Sequence, residues 1–327
     1  MTTPKAKPKK SGRAAWMMGV FLLLVVIALA ARFGDGKEFG ALIRRARPAW
    51  LFAALALQVG TYFCAAGVWH RALARQGHRL PMPSLVPLGV AKVFMDFAVP
   101  SAGLSGNLMA TRGLQRRGFS HRDAMAAMLG GLIAFYIAYG LAVAGGVTIL
   151  WFSGHVSPYI VTAATVFAVI VGAIPAGILR MTRRGRKPGV PKWARRIGPL
   201  KRFLITLKNV PTSVMRSPRF LAEATALQLG LIVLDAATLG VAVLAVGSTP
   251  DPFGVFAAFT MASMVATVSP IPGGLGTFDG TAIALLHAFG IALEPALAAT
   301  VLLRGFMLLL PLLPGFWLAR VETKRRG

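Results

Sequence analysis

What most restricts the fold of this chain is a succession of apolar runs, most of them long enough to cross a bilayer when wound into a helix. A spanning helix takes about 20 mostly apolar residues. Six runs read as full crossings: Trp16–Ala31, Ala49–Trp69, Ala124–Phe152, Val156–Leu179, Phe220–Gly247 and Glu294–Ala319. Two further apolar stretches are interrupted, Leu85–Met109 at Pro100-Ser101-Ala102-Gly103 and Phe253–Gly290 at Pro270-Ile271-Pro272-Gly273-Gly274. Only 14% of the 327 residues are charged and 56% are hydrophobic, with a mean hydropathy of +0.66. A soluble domain has about a quarter of its residues charged. The expected fold is therefore all-α, a polytopic membrane helix bundle forming one integral membrane domain over residues 1–327.

The net charge of +26 raises nucleic acid as a partner, because basic surfaces bind phosphate backbones. The distribution argues against it: Lys and Arg fall between the apolar runs, as in cytoplasmic loops held near anionic lipid. Cys64 is the only cysteine and lies inside a run, which excludes an intrachain disulfide or a cysteine-rich metal site. Lys5, Lys7, Lys9, Lys10 and Arg13 ahead of the first run imitate a secretory signal, down to Ala28-Leu29-Ala30. Because further spans follow at once, we expect an uncleaved first helix behind a basic cytoplasmic N-terminus at residues 1–15.

Charge also orients the chain. Arg180–Arg219 is dense in Lys and Arg and holds no acid, and the tail carries Arg320, Lys324, Arg325 and Arg326. Both are expected in the cytoplasm, with both termini inside and the protein in the cell inner membrane. The links Ser153–His155 and Ser248–Asp251 carry no Lys or Arg and are expected outside. Counting crossings from these anchors puts Arg71, Arg75 and Arg79 inside, together with Arg112, Arg116, Arg117 and Arg122. Both flanks of Leu85–Met109 are then cytoplasmic, which a re-entrant hairpin satisfies and a single crossing does not. Asp251 and Glu294 fall outside, so Phe253–Gly290 is expected to dip in from the opposite face. Arg32, Lys37, Arg44, Arg45 and Arg47 fall outside, against the bias.

Irregular backbone at membrane depth is tolerated only where protein or a watery cavity shelters it. The two broken segments also share letters. Gly103-Leu104, Gly118-Phe119 and Ala124-Met125-Ala126-Ala127 parallel Gly274-Leu275, Gly290-Ile291 and Ala296-Leu297-Ala298-Ala299. We expect a first repeat over residues 85–152 and a second, inverted one over 253–319. Inverted repeats with discontinuous helices at matching positions mark transporters whose site lies near the midplane.

Ionisable side chains at membrane depth cost about 2.5 kcal/mol or more to insert, so those present usually have partners or face a polar path. The candidates are Lys92, Asp96, Asp235, Asp279 and Arg304, with Asn107 beside the first break. Lys92 and Asp96 are spaced to pair on one helical face. Arg304 lies too deep to reach the surface easily; a guanidinium grips phosphate through two parallel hydrogen bonds, or it bridges to Asp235 or Asp279. For Asp235, proton coupling and neutralisation of Arg304 are both open, the second favoured. Asp279 either complements the positive end of a half-helix, or the N–H groups of Gly273, Gly274 and Gly276 receive a phosphate there. Lys192–Lys208 is expected to lie along the inner surface, against anionic lipid. His287 is expected to be a packed residue. No Gly-x-Ser-x-Gly motif, phosphate loop or metal-site spacing occurs, so no cofactor is expected.

At Pro270-Ile271-Pro272-Gly273-Gly274-Leu275-Gly276-Thr277-Phe278-Asp279, and again from Leu302-Leu303-Arg304 to Pro311-Leu312-Leu313-Pro314-Gly315, the chain resembles the lysylphosphatidylglycerol synthase transmembrane-region family. The likeness covers most of its length. It implies movement of a lipid, or handling of its head group, between leaflets. The implied partners are membrane lipids, an anionic phospholipid or a polyprenyl or hopanoid-type lipid. The leading expectation is a flippase-like transporter for a lipid with an anionic or aminoacylated head group. The alternatives are a membrane transferase acting on a lipid-linked phosphate, with Asp96 or Asp279 as base or metal ligand, and an accessory subunit of a lipid-synthesis enzyme.

Overall fold

The computed structural model describes residues 46–78, 80–98, 104–183, 217–269, 271 and 274–324. They form nine α-helices and no strand. In chain order these are α1 (Pro48–Ala74), α2 (Met82–Ala98), α3 (Leu104–Arg116), α4 (His121–Phe152), α5 (Pro158–Arg183), α6 (Pro218–Ala245), α7 (Pro252–Val268), α8 (Thr277–Ala288) and α9 (Leu293–Lys324). The Trp16–Ala31 run, the break at 100–103 and the Lys192–Lys208 stretch lie outside the described residues.

Local chemistry sets the helix starts. Proline opens α1, α6 and α7, where its missing N–H costs nothing and its φ already suits the helix. Ser120 Oγ accepts from the Asp123 N–H at 3.1 Å, and Asp251 Oδ2 from the Gly254 N–H at 2.7 Å. Each satisfies a donor that the first turn leaves free. α1, α4, α6 and the Pro158–Gly177 part of α5 are long and apolar enough to cross a membrane. The Glu294–Ala319 run is helical throughout within α9. Trp151, Phe152, Tyr159 and Phe253 are exposed around the turn after α4 and the start of α7, as aromatic rings are at a membrane–water boundary.

Both broken segments fold back on themselves. In the first, a Cβ on Gly113 of α3 would run into Leu88 of α2. In the second, Gly254 of α7 lies against Phe289 just past α8, the Phe259 and Phe278 rings meet edge to face at 5.9 Å, and Gly274 lies against Ala266. Contacts at the arm ends and at the tip describe an antiparallel helical hairpin.

The same succession of elements occurs twice. α1 has 27 residues and α6 has 28, α2 and α7 have 17 each, α3 and α8 have 13 and 12, and α4 and α9 have 32 each. The turns into the two long helices match as well. Gly118 and Gly290 adopt φ of 90° and 85°, and Phe119 N and Ile291 N bond back to Leu114 O and Leu286 O. Packing follows the same exchange, for α4 lies on α7 while α9 lies on α2.

The most extensive interface joins α1 to α6. A Cβ on Gly60 would meet Leu234 at 3.2 Å, one on Gly67 would meet Leu227 at 3.2 Å, and one on Gly230 would meet Cys64 at 3.6 Å. Later residues of one helix meet earlier residues of the other, so the pair is antiparallel. Counted from the opening prolines, Gly60 and Gly230 occupy the same position, as do Leu234 and Cys64. The contact thus maps onto itself when the two helices are exchanged. Small residues permit this close approach, which is how membrane helices gain packing without a hydrophobic drive between them.

Basic residues gather at one end of the bundle. Glu223 at the start of α6 draws Arg75 to 3.3 Å and Arg71 to 3.9 Å from the end of α1, and Arg219 to 3.3 Å. His78 reaches Asp123 of α4 at 3.4 Å. At the far end of α4, the His155 ring lies 5.0 Å from Phe289.

Candidate functional site at the second helix break

The second break begins where α7 stops at Val268. Ser269 Oγ accepts from the Ile271 N–H at 3.2 Å and Ile271 O from the Gly274 N–H at 3.0 Å, a tight turn in place of a helical ladder. Gly274 has a φ of 61° and no space for a Cβ beside Ala266, and Gly276 caps α8 with a φ of 79°. Only glycine takes both conditions at Gly274 without strain.

Arg304, three turns into α9, reaches across to this turn. Its Nε donates to Asp279 Oδ1 at 2.9 Å and its Nη2 to Gly274 O at 3.1 Å, with a longer contact to Asp279 Oδ2 at 3.4 Å. Asp279 Oδ2 also accepts from the Gly276 N–H at 3.0 Å, so the carboxylate occupies the start of α8. The Arg304 guanidinium lies over the Phe278 ring at 4.4 Å. Its side chain is 7% exposed and that of Asp279 25%. Ionic pair, backbone acceptor and aromatic face together fix the cation at the hairpin tip. They tie the longest helix of the second unit to that unit's break.

The expected residues divide as follows. Arg304, Asp279, Gly274 and Gly276 are brought together. Gly273 lies outside the described residues. Asp235 stands apart: the favoured expectation had it neutralise Arg304, but Arg304 takes Asp279, and Asp235 accepts from Gln58 Nε2 of α1 at 3.2 Å. The reason is geometric, since Asp279 follows the break that Arg304 faces, whereas Asp235 faces α1. Lys92 is half-buried on α2 and the Asp96 side chain lies outside the described residues, so their expected pairing does too. Asn107, near the start of α3, is half-buried, and its C=O accepts from Thr111 Oγ1 at 2.9 Å. His287 is exposed instead of packed, with its Nδ1 3.0 Å from Ile291 O. Among the described residues no three His, Cys, Asp or Glu gather as a metal-binding set.

Three contributors were not read from the sequence. Phe278 and the Gly274 carbonyl meet Arg304 only through the fold. Gln58 carried a legible signal: Leu57-Gln58-Val59-Gly60 recurs as Leu227-Gln228-Leu229-Gly230 at the same position in α1 and α6.

No curated protein matches the chain. The profile that describes the transmembrane region of lysylphosphatidylglycerol synthase matches residues 16–315. That span takes in α1 to α8, both breaks and α9 as far as Gly315, Arg304 included, and on it the chain belongs to the lysylphosphatidylglycerol synthase transmembrane-region family.

Proposed function

We propose that this protein moves a lipid with an anionic or aminoacylated head group between the leaflets of the cell inner membrane. The observation that carries the proposal is the helix–break–helix–long-helix unit that occurs twice around an antiparallel α1/α6 pair. Two equivalent helices that run in opposite directions favour an inverted duplication, with hairpins entering from opposite faces. Transporters of that construction hold their substrate near the midplane, between the broken helices.

On this reading the basic end of the bundle faces the cytoplasm, with both termini on that side. Lipid tails stay in the bilayer while the head group follows the polar path that the breaks shelter. Arg304 alternates between Asp279 and the lipid phosphate, since both present paired oxygens to the same guanidinium. Gly273, Gly274 and Gly276 shape the turn that presents it. Lys92, Asp96 and Asn107 form the matching wall in the first unit, and Asp235 lies on the α1/α6 pair between the two.

The test is lipid translocation by the full chain reconstituted in vesicles that contain anionic phospholipid and a head-group-labelled analogue. Arg304→Lys keeps the charge but loses the planar fork, and it is expected to slow translocation at least tenfold while the protein remains folded. Translocation by wild-type protein no faster than in protein-free vesicles sinks the proposal.

A further inference from the structure

The hairpin tip leaves one group of buried polar side chains unused. Gln58, Thr61 and Tyr62 on α1 and Asp235 on α6 are 5%, 4%, 7% and 7% exposed, in the middle of two helices that read as membrane spans. Thr61 Oγ1 donates to Gln58 O at 2.6 Å, as an in-helix hydroxyl does. The others are not settled: Gln58 Oε1 and Tyr62 Oη have no hydrogen-bond partner among the described residues. Asp235 has the single donor Gln58 Nε2 and no cation within ion-pair distance among the described residues.

Among the described residues the surroundings supply no counter-charge. α6 packs on α1, α4, α7 and α9. From α1, Tyr62 and Cys64 lie within electrostatic reach of Asp235, and neither is a cation. Arg71 and Arg75 of α1 are drawn to Glu223, twelve residues from Asp235 and so about 18 Å along the axis. Tyr139 of α4 meets Thr267 of α7 at 3.2 Å, and Arg304 of α9 is held by Asp279. An ionised carboxylate with one neutral donor is costly at this depth, and a buried acid is kept there only against that cost.

The interface is also too close for a lipid head group. Gly60 and Gly230 flank the cluster; a Cβ at Gly60 would already press on Leu234 at 3.2 Å, and one at Gly230 would reach contact with Cys64 at 3.6 Å. The acid is not a requirement of the repeat, for the residue at the same position of α1 is Ala65.

We propose that Asp235 and Gln58 form a proton-binding site, in which the Gln58 amide serves the carboxylate as donor and the protonated carboxyl as acceptor. With Asp235 ionised, Gln58 Nε2 donates, as observed. When a proton from water binds an Asp235 oxygen, that O–H becomes the donor, and a half-turn of the amide brings the unpaired Gln58 Oε1 to accept it. The proton returns to water by the reverse steps. Since α1 and α6 are the corresponding helices of the two units, the change in charge falls where the units meet. That it drives lipid movement rests on the transport reading; the site itself does not.

The test is pH-difference infrared spectroscopy of the full chain in lipid, reading the C=O stretch of a protonated carboxyl. Wild type is expected to show a band that disappears as pH rises, absent in Asp235→Asn. In Gln58→Leu the band is expected to remain but shift, because the carboxyl has lost its amide partner. Replacing choline by sodium at fixed pH is expected to leave the band unchanged. No Asp235-dependent band at any pH, an unshifted band in Gln58→Leu, or displacement of the band by sodium overturns the proposal. Each readout is independent of lipid translocation, so the site and the transport reading can fail separately.

Discussion

Replacing Arg304 by Met removes the cation from the hairpin tip and leaves Asp279 with the Gly276 N–H alone. Removing one partner of a buried ion pair costs about 3–5 kcal/mol, whereas replacing both by apolar groups is often close to neutral. Asp279 is 25% exposed and keeps one donor, which puts the single substitution at the low end, about 3 kcal/mol. Asp279→Leu strands Arg304 over Phe278 and is expected to cost a similar amount, including about 1 kcal/mol for the lost cap. The double variant removes the mismatch and is expected to lie only about 1–2 kcal/mol below wild type. The assay is a double-mutant cycle on unfolding in detergent, with translocation measured on the same four proteins. The coupling energy is expected to be about 4–5 kcal/mol, with translocation lost in all three variants. Additive effects, within about 0.5 kcal/mol, refute the claim that Arg304 and Asp279 act as one clamp. Translocation by the double variant refutes the role of Arg304 in transport.

Gly274→Ala is expected to destabilise the protein by about 2 kcal/mol in the same unfolding assay, since it adds a Cβ against Ala266 at a φ of 61°, and such strain costs about 1–3 kcal/mol. Gly60→Leu and Gly230→Leu, at matching positions of the α1/α6 contact, are each expected to cost about 1–3 kcal/mol from overpacking; a large cost at one and none at the other contradicts the equivalence of the two helices. Glu223→Gln breaks only partly exposed pairs to Arg71, Arg75 and Arg219, so its effect is expected to stay below about 1 kcal/mol and to fade at high salt.

The helices were legible because hydropathy and punctuation agree. The runs that became α1, α4, α5 and α6 were long enough to cross, and Pro48, Pro218 and Pro252 stand where helices begin. The interruptions were legible from Pro and Gly inside apolar runs, where α2 gives way to α3 and α7 to α8. Partner choice was not. Arg304 had two acids to select from, and nothing linear separates Asp235 from Asp279, since the choice depends on which residue the hairpin turns toward α9. Gln58 was overlooked because an amide in an apolar run carries no charge to draw notice. Its importance lies in the acid it meets across α6.

The account rests on the two hairpins opening to opposite sides of the membrane. In a Cys64→Ala background, single cysteines at Gln115, before the turn at Gly118, and at Ala292, after the turn at Gly290, report this directly with a membrane-impermeant maleimide on intact and on opened cells. The account predicts that Ala292→Cys is labelled from outside and Gln115→Cys only once the cells are opened. Labelling of both positions from the same side contradicts it.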